Sequence, residues 1–92
     1  MTRIIEHRHD ALPGEEVFEL RVFKAREGGV RGCVIPADAT LGHNMAEEIS
    51  EPAAQAFLDG LALCEKEEIS ALWVHDPFGL FPPEARPTSQ RR

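Results

Sequence analysis

EVFELRVF at residues 16–23, the turn EGG at 27–29 and VRGCVIP at 30–36 form the stretch that decides the fold. Phe18, Leu20 and Val22 alternate with Glu19 and Arg21, which is the period of a half-buried strand. The double glycine supplies the positive φ that a tight chain reversal needs. The stretch therefore predicts a β-hairpin.

The charges beside the turn suggest the register of this hairpin. A two-residue loop would place Arg26 opposite Arg31, and a like-charge pair across two strands costs stability. A three-residue loop with Gly29 in the left-handed conformation avoids that pair and sets Val22 opposite Val34. This register predicts a core face of Phe18, Leu20, Val22 and Val34, and an opposite face of Arg21, Phe23, Cys33 and Ile35.

Weaker patterns flank the hairpin. Alternation in residues 2–9 predicts a short strand with His7 and His9 on one side. Residues 37–49 fit either an ordered loop or a helical turn over 45–48 capped by Asn44. Ser50 is a good N-cap for a main helix with Pro52 in its first turn. The apolar stripe of that helix contains Ala53, Ala56, Phe57, Gly60, Leu61 and Cys64.

A final strand is predicted over residues 69–75, which are rich in β-forming side chains. These elements define an α+β fold with a small, mainly antiparallel sheet in the chain order β-β-β-α-β and one principal helix packed on one face. Residues 1–81 are predicted to form a single domain, and the Pro- and Arg-rich residues 82–92 a flexible tail.

Composition limits the setting in which the protein acts. No apolar run approaches the roughly 20 residues that span a bilayer. Residues 1–7 place a glutamate where a signal peptide needs a continuous apolar core. We therefore expect a cytoplasmic protein of bacterial type, with no membrane association. In that compartment Cys33 and Cys64 are expected to be buried free thiols, although a disulfide between them is an alternative.

The net charge of −6 is unevenly distributed along the chain. Residues 37–85 contain ten acidic groups against Lys66 alone, while residues 1–36 are balanced. An acidic body repels phosphate, so nucleic-acid binding is disfavoured. A weak nucleic-acid surface would have to use the basic side chains of the hairpin and tail, which are Arg21, Lys24, Arg26, Arg31, Arg86, Arg91 and Arg92.

The sequence contains candidates for chemistry but no strong motif. His7, His9, His43 and His75 are suitable metal donors, and His7, His9 and His75 are the best placed, yet their spacing matches no established metal site. GxSxG, HExxH and phosphate-binding loops are absent from the sequence. A histidine oriented by a carboxylate, or a cysteine paired with a histidine, would be needed for catalysis. We predict no metal, no cofactor and no catalytic residue, with a small metal-dependent protein or enzyme as the alternative.

Two predicted surfaces contain more apolar residues than is usual for a surface exposed to solvent. One is the hairpin back face, where Phe23 and Ile35 lie beside Arg21. The other is the aromatic and proline-rich segment at residues 73–83, with Phe78, Leu80 and Phe81. This segment fits either a C-terminal flap that closes one end of the sheet, with Trp73 in the core, or an extended segment that docks on another chain. Aromatic residues dominate binding hot spots. The leading hypothesis is a non-catalytic interaction module, homodimeric, that binds a protein partner through one or both surfaces.

Overall fold

The computed structural model describes residues 1–81 of the 92-residue chain, so the predicted tail at 82–92 lies outside the described residues. Five strands and two helices follow in the order β1 (Arg3–Ile5), β2 (Val17–Lys24), β3 (Val30–Pro36), α1 (His43–Ile49), β4 (Glu51–Pro52), α2 (Ala53–Glu67) and β5 (Ala71–His75). A short 3-10 turn at Arg8–Asp10 lies between β1 and β2.

The strands form one mixed sheet in the spatial order β1-β5-β2-β3-β4. β2 with β3, and β3 with β4, pair antiparallel. β5 pairs parallel to β1 on one side and to β2 on the other. Parallel neighbours need a long crossover connection, and α2 is the helix that precedes β5. The predicted α+β fold with one main helix packed on the sheet is confirmed, and parallel pairing enters through β5.

The hairpin is present, but its predicted register is wrong. Val22 lies opposite Gly32, and Val34 lies opposite Leu20. The loop occupies residues 25–29, in which the Ala25 N–H donates to the Gly29 carbonyl over 2.8 Å. The positive φ of 101° falls on Gly28. Because the loop is longer than two residues, Arg26 and Arg31 do not lie opposite each other.

The predicted core face of the hairpin is nevertheless correct. The two registers differ by two residues, and a shift of two preserves the side of the sheet to which each side chain points. Leu20 and Val22 are buried, and Phe18 and Val34 pack against the same cluster. Alternation therefore identified the correct face although the turn was assigned incorrectly.

The main helix begins later than Ser50 suggested. Glu51 and Pro52 pair with Gly32 and Arg31 as β4, so α2 starts at Ala53. A proline is tolerated there because β4 is an edge strand. Ser50 instead follows α1, where its hydroxyl donates to the Glu47 carbonyl over 2.7 Å.

The α1 helix is longer than the predicted turn and is not capped by Asn44. It follows Gly42, and Asn44 lies inside the helix. The Asn44 side-chain oxygen accepts a hydrogen bond from the Arg26 guanidinium over 3.2 Å. Asn44 is thus used to tie α1 to the hairpin turn.

The α2 helix packs closely on the sheet through its predicted stripe. Ala53, Ala56, Phe57, Gly60 and Cys64 are buried, and Leu61 packs beside them. A Cβ on Gly60 would lie only 2.9 Å from Cγ2 of Val34. The missing side chain therefore permits this helix-to-sheet distance.

The N-terminal strand is held by the carboxylate of Glu15. The Leu12 N–H, the Ser70 hydroxyl and the Arg3 guanidinium all donate to it, over 2.8, 2.7 and 2.7 Å. These contacts, of which the hydrogen bond from the Leu12 N–H has the largest effect, hold the pKa of Glu15 below its ordinary value. The strand predicted over residues 2–9 is shorter in the structure: β1 ends at Ile5, so His7 and His9 lie beyond it and do not share a strand face. Within residues 1–81, no helix is long and apolar enough to cross a membrane.

The close contact at Gly60 can be tested by its coupling to Val34. Gly60→Ala introduces overpacking of about 1–3 kcal/mol, which exceeds the helix-propensity gain of about 1 kcal/mol. We expect a net loss in the free energy of unfolding, measured by urea denaturation. In a Val34→Ala background the added methyl group has room, so the same substitution should be neutral or stabilising. Equal effects in both backgrounds would contradict the steric explanation.

The end of α2 offers a second test of the backbone. Glu68 follows the helix with φ 59° and ψ 40°, the left-handed conformation that glycine adopts without steric cost. Glu68→Gly should therefore raise the free energy of unfolding by about 1 kcal/mol. The matched control is Glu67→Gly, one residue earlier in helical geometry, which should lower it by about 0.5–1 kcal/mol. A loss with both variants would show that Glu68 gains more from its side chain than it loses from its backbone.

Candidate functional site

The face of the sheet turned away from α2 carries most of the polar chemistry. We call it the second face; its side chains are those of Arg3, Ile5, Val17, Glu19, Arg21, Phe23, Arg31, Cys33, Ile35, Ala71, Trp73 and His75. Residues 41–50 cover its hairpin side. The Phe23 ring meets His43 edge-on at 5.2 Å, and Arg21 Nη1 donates to the Leu41 carbonyl over 2.9 Å.

This cover changes the interpretation of the hairpin back face. Ile35 is only 7% exposed and Cys33 only 3%. Phe23 and Arg21 are half-buried, with contacts to residues of the same chain. The second layer that two apolar faces require is therefore supplied, at the hairpin, by residues 41–50 of this chain.

A carboxylate is buried at the centre of the second face. Glu19 is 3% exposed, and a charge at such a position is costly unless it is paired and hydrogen-bonded. His75 Nδ1 lies 2.6 Å from its Oε2. Arg21 Nε donates to Oε2 over 3.2 Å, and Arg21 Nη2 to Oε1 over 3.4 Å. Both carboxylate oxygens are thus satisfied.

The sheet register explains why these three groups meet. Glu19 and Arg21 are two apart on one strand, so they share a face. β5 pairs with β2 so that Trp73 lies beside Glu19 and His75 beside Arg21. The His75 imidazole also stacks on the Trp73 ring, with centroids 4.3 Å apart and planes within 17°. The imidazole is held from one side by a carboxylate and from another by an indole.

The hydrogen bond to Glu19 selects a tautomer for His75. A carboxylate accepts, so Nδ1 carries the proton and, in the neutral ring, Nε2 keeps its lone pair. The His75 side chain is 38% exposed. It lines an open groove of about 380 Å³ together with Glu6, His7, Arg8, His9, Trp73, Asp76 and Pro77.

Three of the four histidines therefore approach one groove, without forming a metal centre. His7 and His9 stack on each other at 5.2 Å, outside any strand. His43 is elsewhere, with Nε2 3.7 Å from Glu47 Oε1. Within residues 1–81, no group of three or more His, Cys, Asp or Glu side chains is arranged to hold a metal ion.

The two thiols are free and buried, as predicted. Cys33 belongs to the second face, whereas Cys64 lies on the buried stripe of α2 on the other side of the sheet. Burial raises the pKa of both, and that of Cys64 to about 11. Because the thiolate is the nucleophilic form, neither cysteine is suited to attack a substrate at neutral pH.

The basic residues of the hairpin are mostly used inside the domain. Arg21 serves Glu19 and Leu41. Arg31 donates to the Ser50 hydroxyl and carbonyl over 2.9 and 2.7 Å. Arg26 contacts Asn44 and lies 3.8 Å from Glu47. Lys24 and Arg26 are nevertheless exposed, and they supply the cationic surface that the hairpin offers. Arg86, Arg91 and Arg92 lie outside the described residues.

The C-terminal aromatic segment contains both buried and exposed side chains. Phe81 is 2% exposed, and its ring meets Phe57 of α2 edge-on at 5.6 Å. Leu80 is half-buried against the same core. Phe78 is 80% exposed. Of the residues predicted to contact a partner, Phe78 is thus exposed, whereas Phe81 and Ile35 belong to the interior of their own domain.

Sequence reasoning did not identify Glu19 as a site residue, although it considered His75 oriented by a carboxylate. The available signal was the pair Glu19 and Arg21, two opposite charges on the same face of one strand. Nothing in the sequence pattern places β5 beside β2.

No protein-family model, no curated protein and no solved structure matches this chain.

The energetic role of the buried carboxylate gives a direct test. Arg21→Met removes one partner of Glu19 while keeping the length of the side chain, so it should lower the free energy of unfolding by about 2–3 kcal/mol. Arg26→Met is the matched control, since Arg26 is 76% exposed and exposed ion pairs contribute about 0–1 kcal/mol. Adding Glu19→Gln to Arg21→Met should restore part of the loss, because the uncompensated charge is then gone. Strict additivity of the two substitutions would contradict this pairing.

Proposed function

We propose that this protein is a small interaction module of the cytoplasm that self-associates through the turn at residues 76–81. The observation that carries the proposal is the exposure of Phe78 on an ordered turn. The free, buried thiols of Cys33 and Cys64 support the cytoplasmic setting, because such thiols persist in reducing compartments.

The turn is built to hold Phe78 in place. The Asp76 carboxylate accepts the Leu80 N–H and the Phe81 N–H, each over 2.8 Å. Gly79 has φ +63°, a conformation that other residues adopt at a cost. Phe81 anchors the far end of the turn in the core. An aromatic side chain fixed in this way loses little further conformational entropy on binding.

Burial of the Phe78 side chain against a partner would also contribute a large favourable free energy to binding. Removing a phenylalanine side chain from water is worth about 1.5–3 kcal/mol, and buried aromatic anchors are frequent hot spots. A single ring does not make an interface, because stable interfaces bury about 1,200–2,000 Å² in total. The partner must therefore also cover surface next to the turn.

A second copy of this chain offers a matching surface. A groove of about 790 Å³ lies where β2 begins and β3 ends, and its apolar lining includes Leu12, which is 63% exposed, together with Pro13, Phe18 and Pro36. β5 and β2 are parallel, so the Phe78 turn lies at the opposite end of the sheet. An antiparallel pair of subunits can seat each Phe78 in the groove of the other, which closes a two-fold dimer.

Charge supports the same pairing of ends. The groove carries three acidic residues, Glu15, Glu16 and Asp38, against one permanent cation, Arg8. The hairpin end carries Lys24 and Arg26, both exposed. Opposite charges on approaching surfaces favour encounter and suppress the wrong orientation. This arrangement does not need the hairpin back face, whose Ile35 is covered by its own chain.

Sedimentation or light scattering of the full chain at 10–100 µM, an order-of-magnitude range for such an interface, tests the proposal. Phe78→Ser should weaken the dimer by at least about tenfold in Kd, the effect of losing about 1.4 kcal/mol. Leu12→Ser should weaken it to a similar extent.

Leu58→Ser is the matched control, because Leu58 is 58% exposed on α2 and does not line the groove, and it should leave the Kd unchanged. A wild-type chain that stays monomeric throughout the range would overturn self-association. A dimer that responds to Leu58→Ser but not to Phe78→Ser would place the interface on the helix and also overturn the proposal.

A further inference from the structure

The groove beside His75 has the parts of an acid–base site. Glu19 is almost completely buried, and its carboxylate lies 2.6 Å from His75 Nδ1. His75 is partly exposed and lines the groove together with Arg8, Trp73 and Pro77. An imidazole whose Nδ1 is bound by a buried carboxylate is oriented and keeps one tautomer, and this is how a general base is positioned.

We propose that this groove hydrolyses small carboxylic esters, with His75 as the general base and Glu19 as the residue that positions it. This activity is additional to the proposed self-association and does not rest on it. It departs from the sequence-based expectation of a non-catalytic protein, because the pairing of Glu19 with His75 depends on the placement of β5.

The chemistry requires only water as a co-reactant. Nε2 of neutral His75 takes a proton from a water molecule as the water oxygen bonds to the ester carbonyl carbon. The resulting imidazolium is stabilised by the Glu19 carboxylate through Nδ1. When the tetrahedral intermediate collapses, the ester C–O bond breaks and the alcohol leaves with the proton returned from Nε2. The products are a carboxylic acid and an alcohol, and His75 is neutral again.

The lining of the groove restricts the substrate. A volume of about 380 Å³ is near the lower end of small-molecule sites, so the ester must be small. Trp73 and Pro77 supply apolar contacts for its hydrocarbon part. Arg8 is the cation that can offset the negative charge developing on the carbonyl oxygen. Asp76 is occupied by two backbone N–H groups of its own turn. Of the three histidines that line the groove, His75 is the one that lies within hydrogen-bond distance of a buried carboxylate.

The first experiment measures the release of 4-nitrophenolate from 4-nitrophenyl acetate by the full chain. The wild-type protein should exceed four equivalents of free imidazole, the number of its histidines. His75→Gln should lower kcat/KM by about 100-fold or more, the usual contribution of a general base. His43→Gln is the matched control, because His43 lies on α1 outside the groove, and it should change kcat/KM by less than about twofold.

Glu19→Gln tests the positioning role separately. It should lower kcat by about tenfold or more while leaving KM unchanged, because Glu19 is buried behind His75 and does not touch the substrate. Circular dichroism confirms that each variant is folded. If Glu19→Gln does not fold, the wild-type protein alone still decides the matter through the nitrogen-15 chemical shifts of neutral His75.

Those shifts should show the proton on Nδ1 and not on Nε2. The opposite tautomer would overturn the proposal, because Nε2 would then have no lone pair to offer. A wild-type rate no greater than that of free imidazole would overturn it as well. So would equal losses from His75→Gln and His43→Gln, which would mark the hydrolysis as a general property of surface histidines.

Discussion

The carboxylate of Glu19 constrains the organisation of this sheet. Buried at 3% exposure, it must be compensated from within the protein, and it takes hydrogen bonds from Arg21 on its own strand and from His75 on β5. The contact to His75 can form only if β5 lies beside β2 in the observed parallel register. A slip of one residue would move His75 to the other face and leave the Glu19 carboxylate without this partner, so the hydrogen bond favours the observed register as well as the pairing.

The opposite face is governed by packing. α2 approaches the sheet closely because Gly60 removes a side chain at its contact with Val34, and Gly32 does the same beside Leu20 and Ala56. The two layers are thus fixed by different forces, with steric fit on the side of α2 and charge compensation on the other. The outer strands β1 and β4 are three and two residues long, and Pro52 interrupts the free edge of β4, which discourages pairing with further strands.

The two proposed functional surfaces, the Phe78 turn and the His75 groove, both lie near the C-terminal end of β5. The Phe78 turn and the His75 groove both follow from the last residues of β5, because Asp76 fixes the turn and Pro77 lines the groove. A single strand inserted late in the chain thus brings together a displayed aromatic side chain and an oriented imidazole. The second face of the hairpin, in contrast, uses Arg21 and Arg31 for contacts within the domain and is covered by residues 41–50.

The sequence alone determined the local features. The alternation of Phe18, Leu20 and Val22 identified a strand and its core face, and the spacing of Ala56, Phe57 and Gly60 identified the buried side of the helix, because both patterns reflect periodic burial. Turn and cap positions were harder to predict, because each depends on how the neighbouring residues pair. The positive φ lies at Gly28 and not at Gly29, and Ser50 follows α1 and does not cap α2. Only the tertiary structure decided that β5 inserts between β1 and β2, that Glu19 meets His75, and that Phe81 is buried while Phe78 is exposed. Those outcomes depend on contacts between residues far apart in the chain, and local periodicity contains no information about them.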